Sequence, residues 1–168
     1  MNDRRAFTLV EAVIVLALTG LLSVVAAVAI GSAMNGVQIT SAADKLVSDL
    51  RYAQTMASGV GVWYGVSFES GTASRYYIYT TTGTLDTLVD NPGKKGSSFV
   101  VELGTDFGVT IATATIEGGS KVEFSPYQVP YTDRTGAALS GEAVITLQKS
   151  GAVRTVRITP TAGRIYTQ

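Results

Sequence analysis

Side chains that commonly carry out catalysis or bind metals are scarce in this sequence. It contains no cysteine and no histidine, which excludes thiolate nucleophiles, histidine-dependent catalytic triads and zinc sites made of Cys or His. Six acidic residues are scattered along the second half without the spacing of an EF-hand loop or a carboxylate pair: Asp86, Asp90, Glu102, Asp106, Glu117 and Glu123. We therefore expect no enzymatic activity, no cofactor and no metal site.

One carboxylate lies in a setting that calls for a specific partner. Glu11 directly precedes nineteen uncharged residues, AVIVLALTGLLSVVAAVAI (12–30), and the next charged residue is Asp44. An unpaired carboxylate beside so apolar a segment is costly, so its presence indicates a function. Glu11 is therefore the first candidate functional residue.

The apolar segment 12–30 is long enough to cross a membrane. As a helix it would be roughly 28 Å long, close to the ~30 Å hydrocarbon core of a bilayer. Arg4 and Arg5 precede it and no comparable basic cluster follows, which predicts a cytoplasmic N-terminus and an extracytoplasmic remainder. A secretory signal peptide and a simple single-span anchor are the alternatives, but the apolar core of a signal peptide has only about 7–15 residues. Neither alternative explains Glu11.

Beyond the apolar segment the sequence continues as an amphipathic helix. Apolar residues at spacings of three and four form a stripe between residues 37 and 58: Ile39, Ala43, Leu46, Leu50, Ala53 and Ala57. Lys45 and Asp49 are spaced to pair, and Ser58–Gly59 supplies a helix stop. We expect one helix from about Phe7 to Ser58, apolar on all sides in its first half and lying on a domain in its second half.

The remainder of the chain predicts a β-rich head. Alternating and β-branched segments indicate strands at 60–68, 75–81, 98–103, 107–115, 121–125, 142–149, 152–160 and 164–167. Ser150–Gly151 suits a tight hairpin turn, whereas 82–97 and 126–141 are typical of loops. The expected fold class is α+β, with a long N-terminal helix packed on a C-terminal antiparallel sheet.

The start of the sequence resembles a known processing signal. AFTLVEAVIVLAL (6–18), preceded by two arginines, is similar to the class III signal of type IV pilins and pseudopilins. That resemblance implies cleavage by a prepilin peptidase between Ala6 and Phe7, methylation of the new amine at Phe7, and Glu11 as the fifth residue of the mature chain. The family usually has glycine at the position that Ala6 occupies here.

The resemblance also implies a division of the chain and a location. Residues 1–6 would be the leader, 7–36 a hydrophobic transmembrane and filament-core helix, and 37–168 a periplasmic domain made of an amphipathic helix (37–58) and a β-rich head (60–168). The protein would span the inner membrane once and then enter a periplasmic or surface filament. Its implied partners are other pilins or pseudopilins, the prepilin peptidase, the inner-membrane assembly platform and membrane lipid.

A narrower resemblance covers most of the remaining chain. AADKLVSDLRYAQTMA (42–57) and the closing ITLQKSGAVRTVRITPTAGRIY (145–166) are similar to the GspH/FimT group of minor pilins and pseudopilins. This implies a structural subunit of a type IV pilus or of a type II secretion pseudopilus, and the sequence leaves the choice between them open.

A filament offers a physical reason for the carboxylate. When such helices stack, the amine of one subunit and Glu11 of a neighbour can neutralise each other in an apolar core, where either charge alone would be expensive. An uncleaved leader would bury Arg4 and Arg5 and leave no amine at Phe7. The alternative is that Glu11 lies in the headgroup region of an ordinary anchor.

A second function remains open for the head. FimT-like proteins can capture DNA for uptake, and the last twenty residues contain four basic side chains, together with Tyr166, which could stack on a base: Lys149, Arg154, Arg157 and Arg164. The formal charge of the whole chain is zero, so any nucleic-acid binding would need a local patch. The other interpretation is that these are solvated strand residues, or that the head is a secreted or anchored β domain.

Overall fold

A computed structural model describes residues 8–168 of the chain. The predicted leader, with Arg4 and Arg5, lies outside the described residues. So do the expected cleavage between Ala6 and Phe7 and the methylation of Phe7. The chain forms two compact units, one ending at Gly36 and the other comprising Val37–Gln168. Each unit is described by itself below.

The first helix, α1, extends over Leu9–Val60. At its start the Glu11 N–H donates to the Thr8 hydroxyl (3.2 Å), and the spacing of these two residues is that of a capping box. At its end the Gly61 N–H donates to the Ala57 carbonyl (3.1 Å), and Gly61 has φ +72°. This left-handed conformation is the usual helix stop. The helix therefore ends two residues later than the sequence predicted.

The first unit consists of apolar helix surface. Residues 8–34 are all exposed within the chain. The few hydroxyls donate to carbonyls of the helix itself, Thr19 to Val15 (2.7 Å) and Ser23 to Thr19 (2.8 Å). By length and composition α1 can cross a membrane, and none of its most apolar stretch, with a mean hydropathy of 2.8, is buried inside the protein. Residues 8–36 therefore form no core of their own.

The second unit has a closed core. The apolar stripe of α1 is buried as predicted, Leu46 and Leu50 completely. It packs in one cluster with side chains of the strands such as Ile78, Phe124 and Ile145. The core extends only from Ile39 to Ile165, so removing the first unit takes nothing from it. We therefore expect the second unit to fold by itself.

Ten strands and one short helix follow α1. They are β1 Trp63–Glu69, β2 Arg75–Thr81, β3 Asp86–Leu88, β4 Val100–Glu102, α2 Leu103–Asp106, β5 Thr110–Thr115, β6 Lys121–Phe124, β7 Pro130–Tyr131, β8 Ala143–Lys149, β9 Ala152–Ile158 and β10 Ile165–Thr167. One sheet has the order β3-β2-β1-β6-β7, and β4 also pairs with β2. The other has the order β10-β9-β8-β5. All pairings are antiparallel, which confirms the predicted fold class.

The sequence predicted the tight turn at Ser150–Gly151 correctly but did not predict the shortest strands. Ser150 and Gly151 both have positive φ (47° and 85°) between β8 and β9, as a tight hairpin turn requires. By contrast, the predicted loops 82–97 and 126–141 contain β3 and β7, which have three and two residues. Strands that short have no alternation to detect, and they form because the edges of β2 and β6 offer hydrogen bonds. Leu103, predicted to end a strand, begins α2.

Candidate functional site

Glu11 is the only charged residue between Thr8 and Gly36. Its carboxylate makes no hydrogen bond or ion pair with residues 8–168. A negative side chain in the first turn of a helix is favourable by about 0.3–1 kcal/mol. That gain is small beside the several kcal/mol that an unpaired charge costs in apolar surroundings. Glu11 therefore needs a partner from outside residues 8–168 if this part of the helix is buried in an assembly.

The surface around Glu11 is apolar over the whole circumference of the helix. Large aliphatic side chains that are about half exposed or more follow one another along it: Leu9, Val10, Val13, Ile14, Val15, Leu16, Leu18, Leu21, Leu22, Val24, Val25, Val28 and Ile30. A helix that is hydrophobic on every side is stable only in lipid or among other apolar helices. The site thus combines one charge with an apolar surface that specifies no register by itself.

The four basic residues near the C-terminus do not share one face of the head. In the register of β8 and β9, Arg154 lies opposite the buried Leu147, and Arg157 lies opposite Val144. Because neighbouring residues alternate between faces, Arg154 and Arg157 point to opposite sides of the sheet. Lys149 shares the face of Leu147, where its ammonium donates to the Phe107 carbonyl (2.6 Å).

The other two basic residues, Arg157 and Arg164, belong to a cluster that also contains the carboxylate of Glu142. Arg157 pairs with Glu142 (2.8 Å), the Tyr166 hydroxyl donates to the other carboxylate oxygen (2.8 Å), and Arg164 stacks on the Tyr166 ring at 5.8 Å. The hydrogen bond from Arg157 is the main reason that the pKa of Glu142 is lowered. An ionised carboxylate between Arg157 and Tyr166 would repel a phosphate. The structure therefore does not assemble the candidate DNA-binding residues into one positive patch.

Two buried carboxylates, Asp49 and Glu123, form hydrogen-bond networks, and the sequence predicted only the ion pair of the first. The predicted pair of Lys45 and Asp49 is confirmed at 2.6 Å, and Asp49 also accepts from the Tyr76 hydroxyl (2.6 Å). Burial is the main cause of the raised pKa of Tyr76. Because Tyr76 lies on β2 and Asp49 on α1, this bond fixes the helix to the sheet.

The second network lies around Glu123, which is only 1% exposed. Its carboxylate accepts from the Tyr79 hydroxyl (2.8 Å), the Lys121 ammonium (3.0 Å) and the Arg134 N–H (2.6 Å). The Tyr79 ring covers Gly65, where an added Cβ would lie 2.2 Å from the ring carbon Cζ. Only the glycine in β1 and the aromatic pattern of β2 hinted at this packing in the sequence.

The scattered acidic residues do not form a metal site in the part of the chain that is described. Over residues 8–168, no three or more His, Cys, Asp or Glu side chains come close enough to hold an ion. Glu117 accepts from the Ser140 hydroxyl and from two loop N–H groups, and these bonds lower its pKa. It therefore serves as an anchor for its loop.

Comparisons with known proteins place the N-terminal motif in a broad class. Residues 1–33 match the model of the prokaryotic N-terminal methylation motif. Two crystal structures of the type IV minor pilin FimU from Pseudomonas aeruginosa PAO1, in space groups P65 and P21, are similar to this chain. Each is 17% identical and matches 77% of this chain, over 91% and 87% of its own length, with TM-scores of 0.48 and 0.49. The search of curated proteins gives no match.

Proposed function

We propose that this chain, a type IV pilin-like protein by its N-terminal methylation motif, is a minor pilin or pseudopilin of the GspH/FimT group. In this role it is a structural subunit of a type IV pilus or a type II secretion pseudopilus. The observation that carries the proposal is the combination of that motif, residues 1–33, with a single carboxylate at the start of a helix exposed over its whole apolar circumference. A globular domain has no use for such a surface.

Processing creates the partner that Glu11 lacks. A prepilin peptidase removes residues 1–6, and Phe7 becomes the methylated N-terminus. Residues 7–36 hold the subunit in the inner membrane and later lie in the filament core, whereas 37–168 form the periplasmic domain. The cationic amine at Phe7 of one subunit then meets Glu11 of its neighbour, and neither charge remains unpaired in the apolar core.

One charge pair per subunit also defines how far neighbouring helices are shifted along each other. Aliphatic surfaces such as that of residues 12–30 pack in many registers with similar energy, because dispersion and burial are not directional. The hydroxyls of Thr19 and Ser23 donate to their own helix and do not compete for partners. A single buried ionic contact penalises every shifted arrangement, which is the best-attested structural use of such groups. Glu11 thus determines both whether a subunit joins the filament and how its helix is aligned with the neighbouring helix.

The mass of the intact protein tests the processing on which this function depends. The mature chain is expected to begin at Phe7, with one methyl group on its amine, and to lack residues 1–6. Deleting the peptidase gene of the host should restore the full mass. A mature N-terminus near Ile30 or Met34 would instead identify a secreted domain and contradict the proposal.

The partners of the subunit distinguish the two filament systems. Crosslinking in the native host followed by mass spectrometry identifies the proteins that contact the chain. Secretion components indicate a pseudopilus, whereas pilus or competence components indicate a type IV pilus. Inner-membrane platform proteins and other pilins are expected in both cases.

A further inference from the structure

A cavity of about 450 Å³ lies on β2, on the face of the first sheet that points away from α1. Tyr76 of β2 reaches α1 through Asp49, so its neighbour Tyr77 points to the opposite face. β3 and β4 both pair with β2, and they contribute Leu88 and Val100 to the walls. We call this the β2 cavity.

The floor of the β2 cavity is aromatic and fixed. The Tyr79 hydroxyl is held by Glu123, and its ring is packed on Gly65. The Tyr77 ring lies 6.1 Å from the Tyr79 ring at an angle of 47°. The Tyr79 ring is only 1% exposed and forms the buried base, so the partly exposed Tyr77 ring is the aromatic surface that a cation can reach.

The rim of the β2 cavity carries an excess of negative charge. Arg75 donates to Glu69 (2.8 and 3.2 Å) and lies 3.6 Å from Glu102. Asp86, exposed at the rim, makes no hydrogen bond or ion pair through its carboxylate with residues 8–168. Arg75 is thus paired with Glu69 and Glu102 at one end of β2, whereas Asp86, which lies opposite Thr81 at the other end, has no counter-charge among the described residues. Such a rim favours a cation and disfavours an anion.

The same chain presents a basic turn that matches this charge. Lys94 and Lys95 are exposed, and their ammonium groups make no hydrogen bond or ion pair with residues 8–168. The turn is preformed, because the Gly93 N–H donates to the Asn91 side chain (2.8 Å) and the Ser97 N–H donates to the Lys94 carbonyl (3.1 Å). Two adjacent lysines are therefore exposed at the tip of a turn whose backbone is fixed by hydrogen bonds.

The basic turn cannot fill the β2 cavity of its own chain. Lys94 lines a cleft beside Lys45 and Tyr52 of α1, on the side of the sheet that carries the helix. The β2 cavity lies on the other side. Two complementary surfaces on opposite faces of one domain form a heterologous contact, which links copies head to tail.

We infer that the Lys94–Lys95 turn of one copy docks into the β2 cavity of a second copy. A lysine stem packs against Leu88 with its ammonium group beside Asp86, and the partly exposed Tyr77 ring beside Val100 offers a second contact for a cation. The contact depends on the proposed function in one respect only: a filament would bring the heads close enough to touch. The contact itself belongs to the second unit and exists without the first.

Chemical crosslinking of the isolated domain Val37–Gln168 tests this contact. The chain has no cysteine, so Lys94→Cys and Leu88→Cys each introduce a single thiol and leave Lys95 and Asp86 in place. The two variants are mixed and treated with a short bis-maleimide linker. We expect the mixed dimer at a yield about two- to fivefold above that of a Lys94→Cys and Tyr127→Cys mixture, a change of the size expected for exposed ion pairs. Tyr127 is 88% exposed and lies outside both surfaces.

Charge reversal provides the second measurement, without thiols. Asp86→Lys should lower the mixed-dimer yield to the Tyr127→Cys level, and Lys95→Glu in the other partner should raise it again. The yield should also fall as salt increases, because exposed charges are screened. Equal yields in the test and control mixtures, or no response to Asp86→Lys, would overturn the inference. Either result would leave the processing at Phe7 and the role of Glu11 untouched.

Discussion

The two units of this chain use the same amino acids for opposite purposes. Leu22 and Leu46 both belong to α1, yet Leu22 is 68% exposed and Leu46 is fully buried. In the first unit nothing within residues 8–168 covers the apolar side chains, and such a surface is stable only in lipid or among other apolar helices. In the second unit the sheets account for every residue of the helix stripe. Comparing the two units shows which apolar residues the fold of the head uses and which it leaves exposed.

The largest expected difference is between two Leu→Ala substitutions, one in each unit. Leu46→Ala leaves a cavity in a closed core and should lower the free energy of unfolding of the head by about 2–5 kcal/mol. Leu22→Ala should change it by less than about 0.5 kcal/mol, as is usual for exposed positions. Urea unfolding of the full chain in detergent, followed by the fluorescence of the single tryptophan, Trp63, measures both. A similar loss for the two variants would show that the first unit contributes to the folding of the head.

The next largest effect on the free energy of unfolding is expected at the Glu123 network. Gly65→Ala places a Cβ where the Tyr79 ring lies, so the ring must move away from Glu123. We expect a loss of about 1–3 kcal/mol, the usual cost of overpacking or of an unsatisfied buried group. Gly59→Ala is the matched control, since nothing lies within 4 Å of its added Cβ. In the last turn of α1 it should be neutral or slightly stabilising.

A smaller effect concerns the response of the head to acid. The pKa of Asp133 is lowered chiefly by the hydrogen bond from Lys121, and then by hydrogen bonds from Thr135. A carboxylate whose pKa is lower in the folded state contributes its full stability above the unfolded pKa of about 4, and loses it as the pH falls through the folded pKa. Asp133 is 38% exposed in its side chain, so solvent screening keeps the effect modest.

The measurement is the free energy of unfolding between about pH 5 and pH 2, where such a carboxylate becomes protonated. It should fall with pH in the wild-type head and fall less steeply in Asp133→Asn. Asp90→Asn, an exposed control outside this network, should keep the wild-type slope. Equal slopes for wild type and Asp133→Asn would contradict the stabilising role of the Lys121 pair.

The smallest expected effect is on nucleic acid. The domain Val37–Gln168 should have little affinity for duplex DNA at physiological salt, because its basic C-terminal residues are divided between two faces and Arg157 is paired with Glu142. Fluorescence anisotropy with a labelled duplex measures this. Low-micromolar binding that weakens steeply with salt, and is lost on changing Arg154, Arg157 and Arg164 to alanine, would favour DNA uptake instead.

Local patterns in the sequence predicted what depends on neighbouring residues. The stripe of α1 was visible because six buried positions repeat over about five turns, and the N-terminal motif because it is contiguous. The partners of Tyr76 and Tyr79 were not visible. They lie 27 and 44 residues away in the sequence, and the two tyrosines point to opposite faces of β2. Such contacts depend on strand register, which spacing along one chain does not reveal.

The position of Glu11 in the first turn of α1 offers an alternative explanation for this residue, namely that it supports the start of the helix. An experiment can distinguish this role from a role in assembly. At the helix start the Glu11 carboxylate contributes only its favourable interaction with the helix dipole, about 0.3–1 kcal/mol, because it makes no hydrogen bond with residues 8–168. If Glu11 only supported the helix start, Glu11→Gln would be tolerated. If the charge pairs with a neighbouring amine, Glu11→Gln leaves that amine without its counter-charge, and so does Glu11→Ala.

Incorporation of Glu11→Gln into filaments therefore tests the central claim most directly. Membrane insertion and cleavage before Phe7 should continue, because the apolar segment, Arg4 and Arg5 are unchanged. An uncompensated buried charge costs about 3–5 kcal/mol. We therefore expect both Glu11→Gln and Glu11→Ala to accumulate in the inner membrane, trimmed to Phe7, and to be strongly depleted from sheared filaments. Incorporation of Glu11→Gln at the wild-type level would show that the carboxylate serves the helix start and does not determine assembly.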